Sequence, residues 1–321
     1  MITVPEAFAW GTREREGDAA AGWLAELPGI VAELLDRWGC VPDGGVTHGG
    51  VGVIVPVRRG ASGPAVLKVS FPHPGNVHEP DAFAAWRGRG AVLLHERDDA
   101  RFAMLLERAD TATLAEVPDG DEVVRIAGRI SRRLAVAAPP GLPRLRGRAD
   151  TWEEELRRDA AELTHALAPR VVAAARATVR ELGRDQPDTL VHGDLHPGNI
   201  LRAEREPWLA VDPKGYAGDP AYDSGALLKS RALTLARADD PRRAVARALD
   251  GFADAAELDP ERVWRWAQFH AVETAFWARR HGFRIAREGP SLDHLTALAD
   301  QLATLLTDPR RGAPRRRGGI S

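Results

Sequence analysis

The run His192-Gly193-Asp194-Leu195-His196-Pro197-Gly198-Asn199-Ile200-Leu201 places an Asp and an Asn five residues apart, with a Pro-Gly turn between them and apolar residues on both sides. A carboxylate in such a loop can take the proton of a hydroxyl nucleophile, and an amide oxygen close by can ligate a magnesium ion. Thirteen residues after Asn199, the apolar run Trp208-Leu209-Ala210-Val211 ends in Asp212-Pro213, which sets a second oxygen ligand at a strand tip. A lone His-Gly-Asp is as readily a surface turn. Asp194, Asn199 and Asp212 together are the base and the metal ligands that phosphoryl transfer to an alcohol requires.

A second clue is compositional. Of 44 basic residues only Lys68, Lys214 and Lys229 are lysines. Arg serves wherever a generic cation is needed, so each lysine marks a place where a compact point charge suits better than a planar fork. Pro64 to Phe71 alternates like a strand and turns Lys68 away from Leu67 and Val69, so that an inward Lys68 would meet nucleotide phosphates. Eleven residues on, Glu79 opens an apolar helical stretch with Ala82, Phe83 and Trp86 and can orient Lys68. The bland alternative is a solvated Lys on an edge strand and a Glu in a helix first turn. Upstream, Gly49, Gly50 and Gly52 lie at a bend whose backbone N–H groups can reach phosphates, although glycine pairs also mark plain hairpins.

The stretch "VHGDLHPGNILRAEREPWLAVDPKGYAGDPAYD" resembles the aminoglycoside phosphotransferase branch of the protein-kinase-like superfamily, and within it the aminoglycoside/hydroxyurea resistance kinases, best known for 6-O-phosphorylation of streptomycin. The specific part covers about residues 188 to 226. The resemblance implies ATP and Mg2+ as cofactors, with ATP held between two lobes, its phosphates under the 49 to 52 turn and against Lys68, and its adenine edge on the backbone of Glu107 and Ala109. It further implies Asp194 as base, Asn199 and Asp212 on magnesium, His192 as support for the loop, and Asp223 as the buried anchor of the catalytic-loop backbone. His196 is left between pocket lining and surface. One departure matters: Asp212-Pro213-Lys214-Gly215 stands where protein kinases carry Asp-Phe-Gly, and Pro213 cannot swing like that Phe, which argues for a constitutive small-molecule kinase. The same Asp-Pro pairing is similar to that of fructosamine kinases, so a sugar acceptor is a rival, as is hydroxyurea. A nucleotide-binding pseudokinase acting as an interaction module and a metallohydrolase built on His192, Asp194 and His196 are the rivals from other classes.

The elements needed to hold these residues are legible in the same way. Residues 1 to 40 carry helical apolar spacing through Trp23, Leu27, Val31, Leu34 and Trp38. Strand patterns follow at 41 to 58, 64 to 71, 91 to 95 and 101 to 106, then helical patterns from 121 to 182, broken by Pro139-Pro140-Gly141, and three or four more helices from 240 to 307. The expected fold is α+β, two-lobed and protein-kinase-like: a small N-terminal lobe, 1 to 108, with a five-stranded antiparallel sheet, and a larger, mainly helical lobe, 109 to 307. Residues 308 to 321 read as a disordered basic tail, and no internal repeat is evident.

A chain of 321 residues with net charge −2 gives no reason to invoke nucleic acid, and no run approaches the ~20 apolar residues of a membrane span. Cys40 is the single cysteine, so no intrachain disulfide forms, and the expected setting is a cytoplasmic monomer with a small-molecule partner. For a cationic acceptor the candidates are Trp266, Glu273 and Trp277, on one face of a helix at about 259 to 281 that also carries His270. An ionised Glu273 on an aromatic stripe needs either an internal Arg or a cationic ligand. Glu153 to Glu155 and Asp219 are the alternative acidic walls.

Overall fold

The computed structural model describes residues 2–60, 63–281 and 292–307, so the C-terminal tail expected at 308 to 321 lies outside the described residues. The chain divides into two compact units: Met1–Pro118 with Arg133–Pro143 and Thr189–Ala217, and Asp119–Arg132 with Arg144–Asp188 and Gly218–Ser321. The segment carrying Asp194 and Asn199 therefore groups with the N-terminal residues.

In the first unit, α1 (Glu6–Glu16) and α2 (Ala19–Arg37) precede the sheet strands β1 (Val41–Pro42), β2 (Thr47–His48), β3 (Gly52–Arg58), β4 (Pro64–Ser70), β5 (Leu94–Asp98) and β6 (Ala103–Glu107). Helix α3 (Glu79–Trp86) lies between β4 and β5 in sequence. The order is β1-β3-β4-β6-β5, with β2 also on β3, and the strands pair antiparallel. The sheet thus has six strands among the described residues where five were expected. Pro42 and the Gly44-Gly45 pair break the first strand into two short pieces, β1 and β2, each of which finds its own stretch of β3.

Period-two burial explains how this sheet aims its lysine. Val53, Val55 and Val57 of β3, Leu67 and Val69 of β4, and Leu105 of β6 form one core with Leu24, Leu27, Val31 and Leu34 of α2. Fully burying each such side chain contributes about 1.5–3 kcal/mol, so a one-residue slip of β4 is prohibitive, and Lys68 is held on the opposite face. Four short strands complete this unit: β7 (Thr189–Val191) pairs with β10 (Tyr216–Gly218), and β8 (Ile200–Arg202) with β9 (Trp208–Ala210). The loop carrying Asp194 spans β7 to β8, and Asp212 follows β9.

The second unit is helical: α4 (Gly120–Leu134), α5 (Ala149–Glu162), α6 (Pro169–Thr178), α7 (Ser224–Ala236), α8 (Pro241–Ala256), α9 (Pro260–His281) and α10 (Leu292–Thr307). Its core is aromatic, with Trp152 of α5 stacked on Tyr222 at 5.8 Å and edge-on to Trp266 of α9 at 5.9 Å. No helix of the described residues is long and apolar enough to cross a membrane.

Candidate active site

Lys68 and Glu79 meet as the strand and helix patterns imply. Lys68 Nζ donates to Glu79 Oε1 at 2.5 Å, both groups being buried, and donates also to Asp212 Oδ1. Burial alone would depress the lysine, but the Asp212 and Glu79 carboxylates outweigh it and hold the ammonium charged well above its ordinary range. Burial pushes Glu79 the other way, up to about 7, because one ammonium does not fully compensate two neighbouring carboxylates. Asp212 is desolvated too, yet Lys68 keeps its pKa below the ordinary value, so it is the firm anion of the three. Its backbone sits at φ 58, the left-handed region that costs an L-residue about 1–2 kcal/mol, which places strain at a candidate metal ligand.

The loop bearing Asp194 is fixed from within. Gly193 has φ 83, and a Cβ there would lie 2.6 Å from Tyr216 Cδ2, so glycine is required beside Asp194. His192 is fully buried, bonds the Val211 carbonyl through Nε2 at 2.9 Å, accepts from the Asp194 N–H through Nδ1 at 3.3 Å, and stacks on Trp86. Burial lowers its pKa to about 4, so it is neutral, and both nitrogens contact the backbone. His196 lines the cavity described below and accepts from the Gly198 N–H at 3.1 Å. Asn199 donates its side-chain N–H to the Asp194 carbonyl at 3.0 Å, which assigns the amide and leaves Oδ1 as the oxygen a metal can use.

The tetrapeptide His-Pro-Gly-Asn occurs twice in the chain. Residues 73 to 76 and 196 to 199 form the same short turn. In both, the His ring accepts from the Gly N–H, at 3.0 and 3.1 Å, and the Asn amide donates to the carbonyl five residues back, Phe71 or Asp194.

These groups line one cavity of about 870 Å³, whose walls come entirely from the first unit: Gly49 and Gly50, Lys68 and Glu79, Glu107 to Thr111, and Asp194, Asn199, Asp212 and Lys214. That volume suits a nucleotide. Two expectations change. Gly52 is not among the lining residues; it is glycine because a Cβ would come within 2.7 Å of Ser70 Oγ. Gly49 commits its N–H to the Gly52 carbonyl at 2.9 Å, so that donor closes the hairpin. At the segment expected to read adenine, the Glu107 side chain is no bystander: it accepts from Arg205 and from the Leu93 N–H at 2.9 Å, while its own N–H donates to the Leu93 carbonyl. Arg205 also donates to the carbonyls of Gly88 and Ala91, both at 2.8 Å, and so braces this segment. Nothing in the polar run around Arg205 announced this, since its partner is 98 residues away.

A magnesium ion takes one or two carboxylates with phosphate and water oxygens, and Asn199 Oδ1 with Asp212 fits that demand. Among the described residues no three His, Cys, Asp or Glu side chains group as a metal cage, so the metallohydrolase reading of His192, Asp194 and His196 has no site.

The second unit receives the expected acceptor residues unequally. Trp266 is fully buried and donates from Nε1 to Asp219 Oδ2 at 2.8 Å; Arg262 donates to the same oxygen at 2.6 Å, and the Ala221 N–H to Oδ1 at 3.0 Å. Asp219 and Trp266 are therefore spent inside the fold, a correction caused by partners 43 and 47 residues distant. Asp223 is likewise buried, just before α7. Glu273 and Trp277 remain accessible, the latter 43% exposed, and both line a small cleft with Glu155. Among the described residues the one ion-pair partner of Glu273 is His270, at 3.3 Å. Burial would raise Glu273, but His270, Arg148 and Lys229 lower it on balance, so it is ionised. Glu153 pairs with Arg184, Arg180 and Arg176, and Glu154 with Arg157, which leaves only Glu155 of that run facing the cleft.

A lysine on an antiparallel sheet paired with a glutamate on the following helix, then the Asp194–Asn199 loop and a helical unit, mark a kinase-like phosphotransferase. The fold is shared with a choline/ethanolamine kinase family protein from Mesorhizobium loti, at TM-score 0.59 and 12% identity, covering 87% of this chain and 95% of that one. The chain belongs to the aminoglycoside/hydroxyurea antibiotic resistance kinase family, whose model matches residues 37–282. It is 36% identical over 279 residues to a streptomycin 6-kinase of Streptomyces glaucescens, covering 86% of this chain and 91% of the relative. It is also 36% identical over 286 residues to a hydroxyurea phosphotransferase of Kitasatospora aureofaciens, covering 88% and 82%.

Proposed function

We propose that this chain is an ATP-dependent O-phosphotransferase acting in the cytoplasm on a hydroxyl of a cationic aminoglycoside such as streptomycin. The observation that carries the reading is the convergence of Lys68, Glu79, Asp194, Asn199 and Asp212 on one cavity in a chain of this family. Asp194 accepts the hydroxyl proton, the acceptor oxygen bonds to the γ-phosphorus, and the bond from that phosphorus to the β,γ-bridging oxygen breaks, releasing ADP. Lys68, held by Glu79, neutralises phosphate charge, and the Glu107 to Ala109 backbone seats the adenine. Asn199 and Asp212 would hold a magnesium ion, which would supply charge neutralisation when bound, so positioning and electrostatics do most of the catalysis. Glu273 and Trp277 provide a carboxylate and an aromatic face for a guanidinium or ammonium of the acceptor.

Hydroxyurea is the second reading, favoured by the relative that carries that name. The test is an acceptor screen with labelled ATP over streptomycin, other aminoglycosides, hydroxyurea and glycated amines. Streptomycin is expected to be labelled, and Asp194→Ala to lose about two to four orders of magnitude of turnover with ATP binding retained. Glu273→Gln should raise the acceptor KM alone. ATP binding without transfer to any acceptor would leave the pseudokinase reading in its place.

A further inference from the structure

Two of the three lysines, Lys68 and Lys214, line the nucleotide cavity. The third, Lys229, is exposed on α7, with Nζ 5.9 Å from the centroid of the Trp277 ring. Lys229 also contributes to the positive field acting on Glu273, without forming an ion pair with it among the described residues. It therefore lies at the edge of the cleft, on the aromatic ring and within electrostatic reach of the carboxylate that the acceptor reading reserves for a cation. Trp152, which lines the same cleft, has Arg148 over its ring at 5.1 Å, so that tryptophan face is covered as well.

We propose that Lys229 is a displaceable occupant of a cation subsite formed by Glu273 and Trp277, and that it sets how strongly the enzyme prefers cationic over neutral acceptors. The proposal rests on the acceptor reading given above. An exposed ammonium over an indole is weakly held and strongly hydrated, so a ligand cation can push it aside at small cost. An arginine at 229 would be a poor placeholder, because its planar fork can stack on Trp277 and form two hydrogen bonds with Glu273 at once. A chain that otherwise uses Arg almost exclusively has kept Lys where a contact must give way.

The two substitutions therefore act in opposite directions. Lys229→Met removes the competing charge while keeping the stem, and should lower the KM of a guanidinium-bearing aminoglycoside by about two- to fivefold, the range of an exposed cation–π contact. Lys229→Arg should raise that KM. The change falls on the acceptor KM rather than on kcat, and the KM of hydroxyurea, which has no cation, stays put in both variants. Calorimetric binding of agmatine, a small dication, gives a readout independent of turnover: Lys229→Met should tighten it and Trp277→Leu should weaken it. If the enzyme labels no acceptor but agmatine binding follows this pattern, the function reading fails and the subsite stands. If acceptors are labelled while Lys229→Met leaves or raises the KM of cationic acceptors and agmatine binding does not tighten, Lys229 is not a displaced occupant.

Discussion

Replacing Lys68 by Met removes the ammonium that Glu79 and Asp212 share and leaves a carboxylate only 2% exposed without it. Breaking a buried pair from one side costs about 3–5 kcal/mol. With about 2–4 °C of Tm lost per kcal/mol for units of this size, a fall of roughly 6–20 °C is expected. The effect must also depend on pH. Glu79 in the folded protein titrates near 7, above 4.5 for the free group. The native state thus binds that proton more tightly than the unfolded chain does, and the stability it confers is present below 4.5 and lost as pH rises through 7. Without Lys68 the Glu79 pKa climbs further, so the deficit against wild type should widen by about 1 kcal/mol per pH unit above neutrality. Nucleotide-free wild type, Lys68→Met and the double variant with Glu79→Gln are to be unfolded by heat and by urea at pH 6 and pH 8. The double variant should recover part of the loss, because an amide needs no counter-ion. A deficit under about 1 kcal/mol, or one equal at the two pH values, would refute the view of this cluster as a desolvated, undercompensated charge group.

Asn199→Ala and Asp212→Ala should raise the magnesium concentration needed for half-maximal turnover, Asp212 the more because it brings a full charge; unchanged metal titrations would remove both as ligands. Arg205→Ala should raise the KM for ATP and lower Tm, since the carbonyls of Gly88 and Ala91 and the carboxylate of Glu107 lose a shared donor, at about 1–3 kcal/mol for groups left unsatisfied. A normal KM with lowered Tm would make Arg205 a purely structural brace.

What could be read from the chain alone follows the range of the forces involved. Asp194 and Asn199 were legible because five residues and a Pro-Gly turn fix their geometry locally, and the structure adds only which amide atom faces outward. Lys68 and Glu79 are a tertiary pair, but β4 has a period and α3 a clear start, so each could be aimed before they were brought together. Asp219 and Trp266 were misplaced because each satisfies the other across 47 residues, and no local pattern distinguishes an indole N–H that finds a carboxylate from one left for a ligand. Arg205 was invisible for the same reason: in an Arg-rich chain one more Arg in a polar turn carries no signal, although two separate segments hang on it. The sixth strand was missed because two-residue pieces have no periodicity to read.

The duplicated His-Pro-Gly-Asn turn bears on thermodynamics as well as on shape. A six-residue segment, 71 to 76 or 194 to 199, that closes on its own side chains and backbone in two different surroundings owes its form to itself rather than to those surroundings. In the catalytic loop, the backbone freedom that an ordering step would have to remove is therefore already gone before any nucleotide arrives, at a scale of about 1–2 kcal/mol per residue. The heat and entropy of nucleotide binding should then report desolvation and contact, with little contribution from organising the segment between Asp194 and Asn199.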